Sequence, residues 1–218
     1  MNLRIYLPLF FLYLFSSLTA QQTKEISHYL FPEFTKGSVL MKGGRVNPAL
    51  LNYNAATEEM VFDQNGQVLA LADPSLSQID TVFIKDRQFV VLNKKFAEVL
   101  LKGDDKLLAF YKCKVIPPGK PAGYGGTSQT SSVDSYSSYS IGGLMYDLKL
   151  PDDFKVEPYT VYLLKNSKGK KEIKSMRQLR NHYKKKKDVY DQYVRENKVN
   201  FEDQQAVAQL VSFMEDLQ

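Results

Sequence analysis

Residues 34–115 form a string of short apolar runs, each stopped by turn-forming residues. Residues 38–41 stop at Gly43 and Gly44, 49–53 at Asn54, and 59–62 at Gln64, Asn65 and Gly66. Residues 68–71 stop at Asp73 and Pro74, 81–84 at Lys85 and Asp86, and 87–92 at Asn93, Lys94 and Lys95. Residues 96–101 stop at Gly103, Asp104 and Asp105, and residues 107–115 follow. Strand-length runs joined by turns indicate an antiparallel meander. Asn65 and Gly66 form the strongest hairpin signal, because both residues tolerate positive φ. No stretch between these runs is long enough for a helix of about 10–12 residues, which argues against βαβ units. A sheet of this kind must bury one face, by closing into a sandwich or barrel or by lying under a helix.

The pattern breaks at residues 117–143. This segment holds Pro117, Pro118, Gly125, Gly126 and a run of Ser and Thr, with Tyr124, Tyr136 and Tyr139 among them. Such a composition does not repay the entropy of ordering, so the expectation is a long flexible loop. Tyr and Ser also suit adaptable contacts with a partner. The stretch Gly123 to Thr127 has no Lys and no helix after it, as a phosphate cradle requires. Residues 144–150, 160–165 and 171–174 then read as strands returning to the same body, the last two flanking a hairpin turn at residues 166–169. Ser175 reads as a helix N-cap. Met176, Leu179, Tyr183, Val189, Tyr190, Tyr193 and Val194 follow at helical spacing, with Asn197 as a stop. Val207, Leu210, Val211, Met214 and Leu217 make a second apolar stripe. The fold class expected is α+β: an antiparallel β meander, sandwich-like or barrel-like, with a C-terminal helical hairpin. The organisation expected is 1–20 leader, 21–116 β-rich body, 117–143 loop, 144–174 returning strands and 175–218 helices.

Residues 1–20 have the order of a secretory signal: Arg4, an apolar run over 5–15, then Ser16, Ser17, Thr19 and Ala20. The apolar run is shorter than the roughly 20 residues of a spanning helix. The expectation is therefore export, with cleavage after Ala20 and no span in the remaining chain. Cys113 is the one cysteine of the chain, and in a strand it shares a face with Ala109, Tyr111 and Val115, which predicts burial.

Charge is unevenly spread. Residues 165–187 hold 11 bases and one acid, whereas residues 188–218 hold seven acids and two bases. Lys184, Lys185, Lys186 and Lys187 are the densest run, and a helical step of about 100° spreads them round a helix. The block suits an anionic lipid or glycan or an acidic protein, or it is a solvated helix balanced by the acidic tail. The export signal argues against nucleic acid.

Catalytic material is thin. A Ser-His-acid triad needs a His near a nucleophile, and neither His28 nor His182 has a nucleophile motif beside it. A strand cysteine lacks the helix N-terminus that activates a thiol. Paired carboxylates would have to come from Glu58, Glu59, Asp63, Asp73, Asp80 or Asp86, and Glu58 and Glu59 in a strand point to opposite faces. Asp63 to Gly66 lacks the alternating ligands and terminal Glu of a calcium loop. No cofactor motif and no metal-ligand spacing is present.

Several stretches taken together resemble secreted envelope proteins of Bacteroidetes. They are Gly37-Ser38-Val39 with Gly43-Gly44-Arg45, Leu51-Asn52-Tyr53-Asn54, and Glu58-Glu59-Met60-Val61-Phe62. Leu69-Ala70-Leu71-Ala72-Asp73-Pro74, the Ser/Tyr loop and the tail Tyr193 to Phe201 complete the set. The resemblance implies a location in the periplasm or at the outer-membrane periphery, and it implies no particular activity. Asp80-Thr81-Val82 is similar to the short O-glycosylation motif of such bacteria. The function expected is a non-enzymatic envelope binding module. Its surfaces would be Lys184 to Lys187 and the loop tyrosines Tyr124, Tyr136 and Tyr139. The alternatives are a carrier holding a small lipid or glycan inside the sheet, and a carboxylate-based hydrolase.

Overall fold

A computed structural model describes residues 27–71, 74–103, 106–116, 120–122, 126–128, 155–166 and 169–217. The leader 1–20, the strand expected at 144–150, and Tyr124, Tyr136 and Tyr139 lie outside the described residues.

The body is one antiparallel sheet of ten strands. Its strands are β1 (Thr35–Met41), β2 (Val46–Asn54), β3 (Glu59–Gln64), β4 (Gln67–Ala70), β5 (Ile79–Ile84), β6 (Arg87–Leu92), β7 (Lys95–Leu101) and β8 (Lys106–Ile116). Two short strands follow, β9 (Lys120–Ala122) and β10 (Gly126–Ser128), and then β11 (Lys155–Asn166) and β12 (Gly169–Ile173). The first eight and the last two match the apolar runs of the sequence. β9 and β10 pair only with each other, so part of the expected flexible loop is a small hairpin.

The turns follow backbone chemistry. Asn65 and Gly66 both have positive φ, 56° and 84°, as the two-residue hairpin predicts. The β6–β7 turn uses the same geometry with Asn93 at 52° and Lys94 at 63°. Gly37 in β1 has another reason to be glycine: a Cβ there would stand 2.4 Å from the carbonyl oxygen of Phe83.

The strand order is β12-β11-β8-β7-β6-β5-β1-β2-β3-β4. It is therefore two meanders joined side by side. β5 does not pair with β4, its predecessor in the chain. A 3₁₀ turn, Ser75–Gln78, precedes β5, which pairs with β1 across the join. The sheet is curled but not closed, so the barrel form of the expectation does not occur. Tyr53 on β2 reaches across the concavity and donates its hydroxyl to the carbonyl of Tyr111 on β8, at 3.0 Å.

Two prolines show how strand and edge are decided. Pro48 lies in β2 opposite Ser38 of β1, but β3 pairs with β2 only from Leu50 onward. Pro158 lies in β11 opposite Cys113 of β8, while β12 pairs only from Tyr162 onward. Each proline thus sits where its strand has one partner, which is where a missing N–H is tolerated. This is why β11 starts at Lys155 instead of at residue 160.

The concave face carries the core. Val39, Leu51, Val82, Phe89, Ala109 and Tyr162 point into it and are buried. Three helices close the structure: α1 (Met176–His182), α2 (Lys187–Asn197) and α3 (Gln204–Asp216). Ser175 caps α1 by accepting a hydrogen bond from the amide of Gln178, and Asp203 caps α3 in the same way through Ala206. α2 stops at Asn197 because Lys198 takes a left-handed conformation, φ 50°. Val207, Leu210, Val211 and Met214 of α3 are fully buried, each contributing about 1.5–3 kcal/mol of apolar burial. The hydroxyl of Tyr162 donates to the carbonyl of Phe201 at 2.7 Å, fixing the entry to α3 against β11.

Candidate functional site

Two cationic features result from this fold, one half-buried and one exposed. The half-buried one is Arg87, at the start of β6. Its Nε donates to Glu98 Oε1 at 2.8 Å and its second terminal nitrogen to Glu98 Oε2 at 2.6 Å. Tyr111 donates its hydroxyl to the same Oε2. The guanidinium carbon lies 5.0 Å from the ring centre of Phe31, 5.5 Å from Phe89 and 5.1 Å from Tyr111. Burial works against the charge on Arg87, and the hydrogen bonds it donates to Glu98, with the charges of Tyr111 and Glu98, outweigh it, so its pKa is raised. Burial is the main cause that pushes the Tyr111 hydroxyl well above the ordinary tyrosine range.

The geometry explains why these groups meet. β7 pairs with β8 only from Glu98 to Leu101. Beyond Ala109, β8 has no strand neighbour on that side, and the space takes Tyr53, Tyr111 and the Arg87–Glu98 pair. Phe31 is held in place by Asn52, whose Oδ1 accepts from the Phe31 amide at 3.1 Å and whose Nδ2 donates to the Phe31 carbonyl at 2.9 Å. The Glu98 carboxylate already takes three donors, and the raised pKa of Tyr111 keeps its hydroxyl protonated near neutrality. The cluster therefore joins β6, β7 and β8 as a partly buried ion pair with good hydrogen bonding.

The exposed feature is a row of three lysines. Lys165 on β11 stands directly opposite Lys106 on β8 and directly opposite Lys170 on β12. Directly opposed residues share a face, so the three ammonium groups project from one convex surface, and all three are exposed. Among the described residues none of them makes an ion pair or hydrogen bond. Like charges directly opposite each other are destabilising, so folding alone does not favour this row. Two residues along the same face lie Leu108 and Leu163, opposite each other, with Val99 beside Leu108.

The run Lys184 to Lys187 is arranged differently. Lys184–Lys186 form a 3₁₀ turn and Lys187 opens α2, so a break in the helix divides the run. The acids of α2 and α3 nearest to it pair with the residues just before it. Arg180 makes a two-point pair with Asp191, at 2.6 Å through Nε. Hydrogen bonding from Arg180 holds the Asp191 carboxyl below its usual range, and the charges of Arg180, Lys187 and Arg195 add to this. Lys186 donates to the carbonyl of Leu217. Glu215 accepts from Tyr183 at 2.7 Å and lies 3.9 Å from His182. Lys184 and Lys185 remain exposed.

The other sequence candidates are dispersed. Cys113 is 1% exposed, and burial is the main cause raising its thiol pKa. Burial lowers the pKa of His28, whose Nε2 has no hydrogen-bond partner. Glu58 is not in a strand: it sits in the β2–β3 turn at φ 58° and pairs with Lys112 at 3.0 Å. Asp63 accepts from the Gly66 amide at 2.7 Å. Thr81, in the glycosylation-like motif, is 4% exposed and donates to Asp80, so its hydroxyl is shielded. Among the described residues no group of three or more His, Cys, Asp or Glu is placed to hold a metal ion, and no helix is long and apolar enough to cross a membrane.

Lys106 did not stand out in the sequence, because its neighbours in the row are about 60 positions away. Only the register of β8 with β11 makes it part of a cluster. No family model, curated protein or solved structure matches this chain.

Proposed function

We propose that the chain is an exported, non-enzymatic binding module of the cell envelope that engages an anionic envelope component. The observation carrying this reading is the row Lys106–Lys165–Lys170: three exposed lysines set side by side with no ion pair to any of them among the described residues, the one acid on the adjoining row, Glu172, being paired with Lys174. A row that costs stability and has no internal partner suits an external anion. The leader-like residues 1–20 support export. The aromatic filling of the concave face by Tyr53, Phe89 and Tyr111 leaves less support for a carrier that holds its ligand inside the sheet.

The test is retention on an immobilised polyanion such as dextran sulfate. The parent chain is expected to elute at a salt concentration that falls sharply when Lys106, Lys165 and Lys170 are all changed to Glu. Equal elution of parent and triple variant would remove this surface from the reading.

A further inference from the structure

Resting on that reading, we propose that the anionic component is a lipid bilayer, and that the sheet face around the lysine row is its docking surface. The row is bordered, on the same convex face, by the apolar side chains Val99, Leu108 and Leu163, one beside the next across β7, β8 and β11, and on β12 by Glu172, whose charge is met by Lys174 at 3.5 Å. The three apolar side chains are half-exposed. Residues two apart on a strand are separated by about 6.6 Å. A bilayer lying against this face therefore meets both rows side by side, the apolar row entering the headgroup–acyl boundary and the lysine row meeting phosphate. Lysine stems reach from such a position to the headgroups. A soluble polyanion would use the lysines and gain nothing from Leu108 and Leu163.

The curl of the sheet limits the contact. Tyr53 of β2 touches Tyr111 of β8 across the concave side, so the convex faces of β2 and β11 look in different directions. A planar bilayer resting on the lysine row meets β7, β8, β11 and β12. It does not meet the separate exposed patch of Val46, Leu50 and Phe83 on β2 and β5.

The experiment is co-sedimentation of the full chain with vesicles of phosphatidylcholine, with or without phosphatidylglycerol, beside binding to dextran sulfate in the same buffer. The apolar residues 1–20 are common to every variant, so the readout is the difference between variants. Changing Lys106, Lys165 and Lys170 to Glu is expected to weaken partitioning to the anionic vesicles by about a hundredfold. Leu163→Thr, which keeps a strand-forming side chain, is expected to weaken it about tenfold while leaving dextran sulfate binding as in the parent. That retained binding also reports that the variant has folded. Phe83→Ser, on the separate patch, is expected to change neither readout.

Equal vesicle binding by parent and Leu163→Thr would overturn the lipid assignment. So would a parent that binds dextran sulfate through the lysine row and ignores anionic vesicles, an outcome that leaves the anion-binding reading standing. Dextran sulfate binding untouched by the lysine reversal would remove both. Loss of vesicle binding in Phe83→Ser alone would move the docking surface to β2 and β5.

Discussion

The two lysine clusters of this protein have opposite histories. Lys184 to Lys187 are contiguous in the chain, yet the fold divides them between a 3₁₀ turn and α2 and hands Lys186 the carbonyl of Leu217. Lys106 is about 60 positions from Lys165 and Lys170, yet the strand register sets the three side by side with no acid partner among the described residues. Charge density along a sequence is therefore a poor guide to charge density in space. What counts is whether the partner arrives with the fold. Arg87 is the extreme case, a cation enclosed by Glu98 and three rings.

The largest effect that would sharpen this comparison comes from taking the partner away from the enclosed cation. Glu98→Ala leaves the half-buried Arg87 without its carboxylate and is expected to cost about 2 kcal/mol, read as a lower midpoint in urea unfolding. A loss below about 1 kcal/mol would mean that Arg87 finds water instead, and that the cluster is not a structural tie. The reverse holds for the exposed row. Reversing Lys106, Lys165 and Lys170 is expected to cost about a hundredfold in affinity for anionic vesicles. Reversing Lys184, Lys185 and Lys187 should cost only several-fold, because the helix break divides them and the charge of Lys187 already acts on Asp191. Equal losses would break the contrast between the clusters.

The buried tyrosines offer a test that does not need the charged rows. Burial raises the pKa of Tyr53, Tyr111 and Tyr162 well above 10, and pushes Tyr190 up to about 12. A raised pKa adds stability that is complete below the unfolded value near 10 and is lost as pH climbs toward the folded value. Absorbance at 295 nm should thus show exposed tyrosines titrating first and these four appearing together with loss of circular dichroism. Smooth titration of all 14 tyrosines in the folded chain would contradict the packing described. The smallest effect is expected at Lys165. Lys165→Thr relieves repulsion on both sides and should raise stability by about 0.5 kcal/mol, while weakening anion binding. A fall in stability would mean that the row has an internal partner.

Local chemistry was enough for the strands and turns. Alternating apolar residues, Asn65 with Gly66, the Ser175 cap and the stop at Asn197 act within a few positions, so they are readable one stretch at a time. The start of β11 at Lys155 was not, because Pro158 is excluded from a paired edge and allowed at a free one, and only the partner strands define which edge that is. Neither the pairing of β5 with β1 nor the Arg87–Glu98–Tyr111 cluster has a local signal; each depends on residues brought together across the sheet. The same is true of Lys106 in the lysine row, whereas Lys165 and Lys170 flank a hairpin turn that the sequence marks. A sequence by itself determines which segments are strands, which are helices and how many charges they carry, since those follow from short-range backbone preferences and composition. Which charges end up opposite one another was decided by the tertiary structure, because register is a relation between strands and side chains two residues apart can lie on the same face while neighbours do not.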